Sequence, residues 1–329
     1  MTKNRTQKWV RFFAWYNSIM IKPITNANIK SGFRGAIDSA SLKYKQELVK
    51  GIQERYQFTP KLENFTSILS PEELKGFLKL FKTKPFNLGK REPDCFGSDL
   101  EFDNVKNGTH RINLHIHTRN SDGRMNVDEF LSQSAKYADK VANIKSSSSL
   151  PYFVASITDH NDFKGTQEAI AQIVEEPEKY KNFRFVAGCE FMFLDENSGF
   201  KYPAFEVVGL GFNPFDKELL KNLQTFNSIS IIDKIKEFGG ILSYAHPIKL
   251  LQGNGLDKKF IEYLKKIGIN GIESNYQYLN FKNTSELKEE IRKSKKIAKE
   301  FDLWETGGTD THCKNIFHHR AEKILDELI

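Results

Sequence analysis

Five short segments of the sequence place histidine or carboxylate side chains where an apolar run ends. They are Asn113–His117 with Ser121–Gly123, Ile157–His160, Gly188–Glu190, Ala245–Pro247 and Gly308–His312. His115 and His117 are separated by one residue, and alternate side chains of a strand share a face, so both imidazoles can reach one ion. Neutral imidazoles together with Asp and Glu oxygens suit zinc, manganese or iron in the divalent state. The pattern therefore predicts a site that binds more than one divalent metal ion.

The number of histidines in these segments argues against chance. A single histidine in a strand is more often a hydrogen-bonded core or surface residue than a metal ligand. Five of the eight histidines nevertheless fall inside the segments, namely His115, His117, His160, His246 and His312. Most segments also follow an apolar stretch that is typical of a buried strand, and a barrel or doubly wound sheet gathers successive strand ends at one mouth. We therefore expect the segments to meet in one place.

The motifs and their order resemble those of the PHP (polymerase and histidinol phosphatase) family of phosphoesterases. The resemblance covers residues 111–314 and rests on His115–His117, Ser121–Gly123, Thr158–His160, Gly188–Glu190, Ala245–Pro247, Gly271–Glu273 and Gly308–His312. Within the family, the chain is most similar to the stand-alone branch that acts on nucleotides and short oligonucleotides. The resemblance implies an α/β fold, a distorted (β/α)7 TIM-like barrel (the PHP domain), with metal ions at the C-terminal ends of the strands.

Carried over residue by residue, the resemblance implies three groups of ligands for two or three divalent ions of manganese, zinc or iron. The groups are His115, His117, Glu190 and Asp310 for a first ion, Glu190 and His246 for a second, and Asp122, His160 and His312 for a third. A carboxylate that bridges two cations can hold them close enough to orient and deprotonate one water. The catalytic nucleophile would then be a metal-bound hydroxide held by the first group.

Two of the positions that depart from the family pattern bear on the metal ligands. Asn113 stands where the family usually has Asp, so it can accept a hydrogen bond but cannot strengthen a ligand through its charge. Glu206 aligns with a position that often holds a metal-binding His, and a carboxylate can replace an imidazole on such an ion. Glu206 is therefore either a ligand or an ordinary solvent-facing strand residue. Arg119 and Lys249 are the leading candidates for binding the substrate phosphate, because cations stabilise the charge of a phosphoryl transition state.

The net charge of +7 is carried by the N-terminal third of the chain. Residues 1–112 contain 20 Lys and Arg against 11 Asp and Glu, and the remainder is close to neutral. We expect a basic, mainly helical N-terminal region over residues 1–105 and a catalytic domain over residues 106–329. The basic region could contact nucleic acid or another polyanion, or its lysines could simply solvate helices.

Local patterns predict several elements around the motifs. Helices are expected at Ala40–Tyr56, from Ser70 with Pro71 in its first turn, from Met125 to Ala142, at Leu219–Phe238 and at Thr284–Phe301, and a hairpin is expected around Asp195–Gly199. An aromatic stripe from Trp9 to Met20 predicts a helix that docks on the protein itself rather than on a membrane.

The three cysteines form no Cys-x-x-Cys pair and are odd in number, which indicates a reducing compartment. The sequence shows neither a membrane span nor a clear signal peptide, so we expect a cytoplasmic protein. The expected function is that of a metal-dependent hydrolase acting on phosphomonoesters or terminal phosphodiesters of nucleotides or short oligonucleotides. The alternatives are a histidinol-phosphate-type phosphatase and a non-catalytic module that binds nucleic acid or a partner.

Overall fold

The computed structural model describes residues 39–81, 111–143, 152–248, 254–276 and 284–317. From Ala40 onward these residues belong to one compact unit. Several predictions lie outside the described residues: the aromatic stripe from Trp9 to Met20, the domain boundary at residue 105 and the phosphate-binding candidate Lys249. They stay predictions.

Seven strands form one sheet in the order of the sequence within the described residues. They are β1 (Ile112–Asn113), β2 (Phe153–Ile157), β3 (Phe183–Leu194), β4 (Ala204–Leu210), β5 (Ile241–Tyr244), β6 (Gly271–Tyr276) and β7 (Trp304–Gly308). The first strand also meets the last, since Leu114 N–H donates to Gly307 O at 3.0 Å and Asp310 N–H donates to His115 O at 2.9 Å. These hydrogen bonds close the sheet into the predicted TIM-like barrel.

The distortion of the barrel is the direction of β4. All other neighbouring strands are parallel, whereas β4 is antiparallel to both β3 and β5. A hairpin joins β3 to β4 with no helix between them, and its turn is fixed by Ser198 N–H donating to Asp195 O at 3.0 Å. The predicted hairpin is confirmed. Because β4 is reversed, it presents its N-terminal half, rather than its C-terminal end, to the mouth of the barrel.

Helices lie between most strands and before the barrel. They are α1 (Ser39–Tyr56), α2 (Pro71–Phe81), α3 (Val127–Ala142), α4 (Lys164–Glu175), α5 (Lys217–Asn222), α6 (Ser230–Glu237), α7 (Lys258–Ile267) and α8 (Thr284–Glu300), with a 3-10 helix at Leu62–Ser67. Reciprocal hydrogen bonds cap α2 between Ser70 and Glu73, and cap α3 between Asn126 and Glu129. No described helix is both long enough and apolar enough to cross a membrane.

The single helix predicted over Leu219–Phe238 is wrong, because α5 and α6 are separate. Asn227 interrupts the helical pattern: its backbone N–H donates to Met192 O of β3 at 2.7 Å, and its side chain accepts from Gln224 N–H at 3.1 Å. These bonds give the backbone an alternative to helical pairing. The segment between α5 and α6 is thereby held against the C-terminal half of β3.

The described N-terminal helices pack directly on the barrel. Leu48 and Ile52 of α1 are fully buried, and the Tyr44 hydroxyl donates to Phe212 O at 2.9 Å. After the 3-10 helix, Leu69 N–H donates to Phe185 O of β3 at 2.9 Å. Residues 44–69 therefore share a hydrophobic core with β2 and β3.

Replacing Leu48 by Ala should destabilise the whole barrel. A buried leucine truncated to alanine costs about 2–5 kcal/mol, so the single unfolding transition of the protein should move to lower denaturant concentration. Leu42→Ala is the matched control on the same helix, since Leu42 is 42% exposed and its loss should cost under about 0.5 kcal/mol. An unchanged barrel transition in Leu48→Ala would show that α1 is only an appendage. Chemical denaturation followed by circular dichroism makes the measurement.

Candidate metal centre

The barrel brings every described residue of the predicted ligand set to one mouth. Most of these side chains follow the C-terminal ends of strands, whereas Glu190 and Glu206 lie within β3 and β4, and Asp122 lies in the loop after β1. Three overlapping clusters result: His115, His117, Glu190 and Asp310; Glu190, Glu206 and His246; and His117, Asp122, His160 and His312. The five motif segments meet at one candidate metal centre.

The first cluster is fully inside the barrel and has the dimensions of a metal site. His115 Nε2 lies 3.1 Å from His117 Nε2 and 3.0 Å from Glu190 Oε2, and His117 Nε2 lies 3.1 Å from Asp310 Oδ1. Four ligand atoms placed tetrahedrally at about 2.0 Å from an ion are about 3.3 Å apart. The four donor atoms therefore fit around one divalent cation without a change of backbone.

Glu190 joins the first cluster to the second. Its Oε2 faces His115 and His117, while its Oε1 lies 3.0 Å from His246 Nε2. Glu206 Oε2 lies 3.2 Å from the same His246 nitrogen, and the Glu206 side chain is 22% exposed. Each oxygen of the Glu190 carboxylate thus points at a different group of donors, which is the arrangement of a bridging ligand.

The third cluster is the most exposed and lies at the rim. His312 Nε2 is buried and has no hydrogen-bond partner of normal geometry, although Asp122 Oδ1 is only 3.0 Å away. His160 Nε2 and His117 Nδ1 lie 3.8 Å and 3.7 Å from the same oxygen. A buried nitrogen without a hydrogen bond, beside a carboxylate and further imidazoles, fits a cation ligand.

Glu273 fixes two of the histidines without joining a cluster. Its Oε1 lies 3.0 Å from His115 Nδ1, and its Oε2 accepts the backbone N–H of His246 at 2.7 Å. The first contact leaves His115 Nε2 as the nitrogen that faces the cluster. Glu273 therefore lies behind the candidate ligands rather than among them.

Tyr276 and Asp159 also position the site, and neither is among the site residues predicted from the sequence. The Tyr276 hydroxyl donates to Asp310 Oδ2 at 2.8 Å, so only Oδ1 of that carboxylate faces the first cluster. Asp159 accepts from Thr118 N–H at 2.6 Å and from the Ser121 hydroxyl at 3.0 Å, which holds the loop that carries Asp122. Asp159 lies within the Thr158–His160 motif, so the sequence contains a signal that marks it as a candidate site residue. Tyr276 ends a strand without such a signal.

Asn113 acts on the chain around Asp310 rather than on a ligand side chain. Its Oδ1 accepts from Thr309 N–H at 3.0 Å, and its Nδ2 donates to the Thr309 hydroxyl at 3.0 Å. Asn113 stands where the PHP pattern usually has Asp, and the expected effect of the missing charge was on a ligand. Among the described residues, no hydrogen bond joins the Asn113 side chain to a candidate ligand side chain. Asn113 instead ties β1 to the residue that precedes Asp310.

The backbone is strained where two of the candidate ligands lie. His246 and Asp310 have φ angles of +27° and +49°, which side chains other than glycine rarely adopt. Such strain persists only where surrounding contacts hold it. Gly308 allows the close approach that precedes Asp310, because a Cβ atom there would lie 2.4 Å from His115 Cβ.

Charges in the clusters strongly perturb the pKa values of the imidazoles. Burial opposes protonation of His117, but its hydrogen bonds with Asp310 and Glu190 raise its pKa to about 9. Burial likewise opposes protonation of His115, yet Glu190, Glu273 and Asp310 raise its pKa well above the usual range. Burial would raise the pKa of Glu190, and the neighbouring histidines, chiefly His115, hold it well below the usual range. At neutral pH the Glu190 carboxylate therefore lies between two protonated imidazoles, those of His115 and His117.

The two phosphate-binding candidates have different outcomes. Arg119 is exposed, and its Nε donates to Arg124 O at 2.7 Å in the loop that carries Asp122. This places its backbone beside the third cluster and leaves its role a proposal. Lys249 lies outside the described residues.

Comparisons with known proteins add the following. No protein-family model matches the chain, and no curated protein is found as a relative. Among solved structures the chain is similar to an amidohydrolase from Chromobacterium violaceum with bound sulfate and no metal, at 18% identity and a TM-score of 0.48, covering 64% of this chain and 91% of that one. It is also similar to a protein described as a metal-dependent phosphoesterase from Bifidobacterium adolescentis, at 15% identity and a TM-score of 0.45, with the same coverage. Likenesses at this level carry no argument about function.

Replacing Glu273 by Gln should weaken metal binding by about 10- to 100-fold. Glu273 faces two donors, the His115 ring and the His246 N–H, so the amide group of Gln must turn its own N–H toward one of them. Glu305→Gln is the matched control, because Glu305 accepts from the Ser274 hydroxyl and is in none of the three donor clusters formed by the described residues. Competition with a chromophoric chelator measures the affinities. Equal affinity for both variants would contradict the positioning role of Glu273.

Metal binding should release protons and strengthen as the pH rises. With a pKa of about 9, His117 carries a proton at pH 7 that an ion must displace, whereas Glu190 is already ionised there. His115, whose pKa is also raised, must lose its proton as well, so the apparent affinity should still be increasing as the pH passes about 9. Calorimetry in buffers of different ionisation enthalpy counts the released protons, and a pH-independent affinity across this range would contradict the expectation.

Proposed function

We propose that the protein is a metal-dependent hydrolase of phosphate esters. The observation that carries the proposal is the Glu190 carboxylate, whose two oxygens face two different donor clusters at 3.0 Å. Paired divalent cations bridged in this way would supply Lewis acidity toward a phosphoryl oxygen and an activated water. The ordered motifs shared with the PHP family support the same reaction.

The buried and the exposed residues of the centre would have different roles. His115, His117 and Asp310 would hold a cation away from solvent, since all three are buried. Asp122 and His160 are 43% and 29% exposed, so the third cluster lies where an anionic substrate can enter. Arg119, on the same loop as Asp122, would add positive charge toward a phosphate oxygen.

The substrate that we propose is a nucleotide or a short oligonucleotide. Phe226 is 47% exposed and follows Thr225, whose carbonyl accepts from the Asn161 side chain at 3.1 Å. Asn161 comes directly after His160 of the third cluster, so the loop around Phe226 is attached to the rim of the centre. An exposed aromatic ring at such a rim can stack on a nucleobase while the phosphate reaches the metal ions.

Two alternatives are separated by experiment. A histidinol-phosphate-type phosphatase would prefer histidinol phosphate over nucleotides, and a non-catalytic module would bind its ligand without turnover. A phosphate-release screen across nucleotides, short oligonucleotides, histidinol phosphate and glycerol phosphate distinguishes the three. Nucleic-acid contact through residues 1–105 and a cytoplasmic location remain proposals from the sequence.

Removing a ligand of the first cluster should abolish hydrolysis while the fold persists. We expect Asp310→Asn and His117→Ala to lower kcat by at least about 100-fold, because each removes a donor to the ion that activates water. Asp233→Asn is the matched control, since Asp233 is 77% exposed on α6. Phosphate release and circular dichroism are measured together. Near-normal turnover in a folded Asp310→Asn protein would contradict the proposal that this centre hydrolyses phosphate esters.

Replacing Phe226 by Ala should raise KM for nucleotides selectively. Loss of one base-stacking contact costs about 1–3 kcal/mol, which corresponds to a rise in KM of about 5- to 150-fold. KM for glycerol phosphate, which has no ring, should stay unchanged. Leu220→Ala is the control for losing an exposed apolar side chain, because Leu220 is 36% exposed on α5. An equal effect of Phe226→Ala on both substrates would remove it from nucleotide recognition.

A further inference from the structure

The three donor clusters differ in chemistry as well as in position. The second cluster contains two carboxylates and one imidazole, whereas the third contains three imidazoles and one carboxylate. Even without His117, whose Nε2 faces the first cluster, the third cluster keeps two imidazoles to one carboxylate. Carboxylate oxygens suit manganese and magnesium, whereas imidazole nitrogens suit zinc.

We infer that the clusters select metals differently, so that the ratio of zinc affinity to manganese affinity is smaller at the cluster of Glu206 and His246 than at the cluster of Asp122, His160 and His312. The inference rests on the metal-binding part of the proposed function and extends it to the choice of ion. Zinc binds mixed nitrogen and oxygen sites more tightly than manganese in general, so the expected difference is in the ratio of the two affinities. That ratio should be smallest at the oxygen-rich second cluster.

Glu206 is the residue that decides this selectivity. Glu190 is shared with the first cluster and His246 supplies the only nitrogen of the second, so the Glu206 carboxylate makes the second cluster oxygen-rich. Glu206 Oε2 lies 3.2 Å from His246 Nε2. The backbone at Glu206 is fixed as well, because Ala245 N–H donates to Glu206 O at 3.0 Å. The reversed direction of β4 brings this carboxylate to the mouth.

The test replaces one donor type by the other in each cluster. Metal-free full-length protein is loaded with Mn²⁺ and titrated with Zn²⁺, while electron paramagnetic resonance follows the bound Mn²⁺. Crystals taken during the titration are measured at the absorption edges of both metals to assign each ion to its cluster. Glu206→His makes the second cluster richer in nitrogen, and His160→Glu makes the third cluster richer in oxygen.

For the parent protein, Zn²⁺ should displace Mn²⁺ from the third cluster first and from the second cluster last. In Glu206→His, the zinc-to-manganese affinity ratio of the second cluster should rise by at least about tenfold, and in His160→Glu the ratio of the third cluster should fall. Displacement from all clusters over one Zn²⁺ range, or no retained Mn²⁺, overturns the inference. If one variant fails to fold by circular dichroism, the other still decides it.

Failure of this inference is distinguishable from failure of the proposed function, because no substrate is present in the titration. Ordered displacement without phosphate release in the substrate screen would leave the metal selectivity standing and remove the phosphoesterase proposal. Phosphate release together with displacement of Mn²⁺ from all clusters over one Zn²⁺ range would support the phosphoesterase proposal and overturn the metal selectivity.

Discussion

The arrangement of the centre depends on one buried carboxylate, that of Glu190. It is 1% exposed and lies within 3.2 Å of nitrogens from three histidines, which come from two different strand ends. An ionised carboxylate without partners at this depth would be strongly destabilising. The neighbouring imidazoles compensate this charge when they are protonated, and divalent cations would compensate it more fully. The need to pair this one charge therefore determines which side chains must converge at the mouth of the barrel.

The barrel is built so that this convergence is rigid. Hydrogen bonds between β1 and β7 close the sheet at the point where His115 and Asp310 lie side by side, and Gly308 leaves room for that approach. Glu273 and Tyr276 on β6 then orient His115 and Asp310 from behind. Because these residues come from strands that are distant in sequence, loss of one strand contact would misplace several donors together. The hydrophobic core beneath, which α1 shares, keeps those strands in place.

Several elements follow from local sequence and were predicted correctly for that reason. The Ser70 and Glu73 pair caps α2 by contacts within one helical turn, and the turn at Asp195 is fixed by neighbouring residues. The helix predicted over Leu219–Phe238 was wrong because its interruption is not local. Asn227 bonds to Met192 on β3, and no periodicity in the helical segment records that partner. The same reasoning explains why Tyr276 was missed, since its contacts with the Asp310 carboxylate and the His246 ring are made to residues that follow other strands.

The sequence by itself determined the types of donor, their order and their place after apolar strands, because ligand identity and hydrophobic patterning are properties of short segments. The pattern left a barrel or a doubly wound sheet open, and only the family resemblance implied the barrel. It left Glu206 open between a ligand and a solvent-facing residue. Only the tertiary structure decided that this side chain faces His246, since the direction of β4 relative to β3 and β5 sets which residues reach the mouth. The three groups of ligands were already implied by the family resemblance, and the tertiary structure added Glu206 to the second group and His117 to the third. These additions depend on which oxygen of Glu190 and which nitrogen of His117 points toward each group, and packing fixes those orientations.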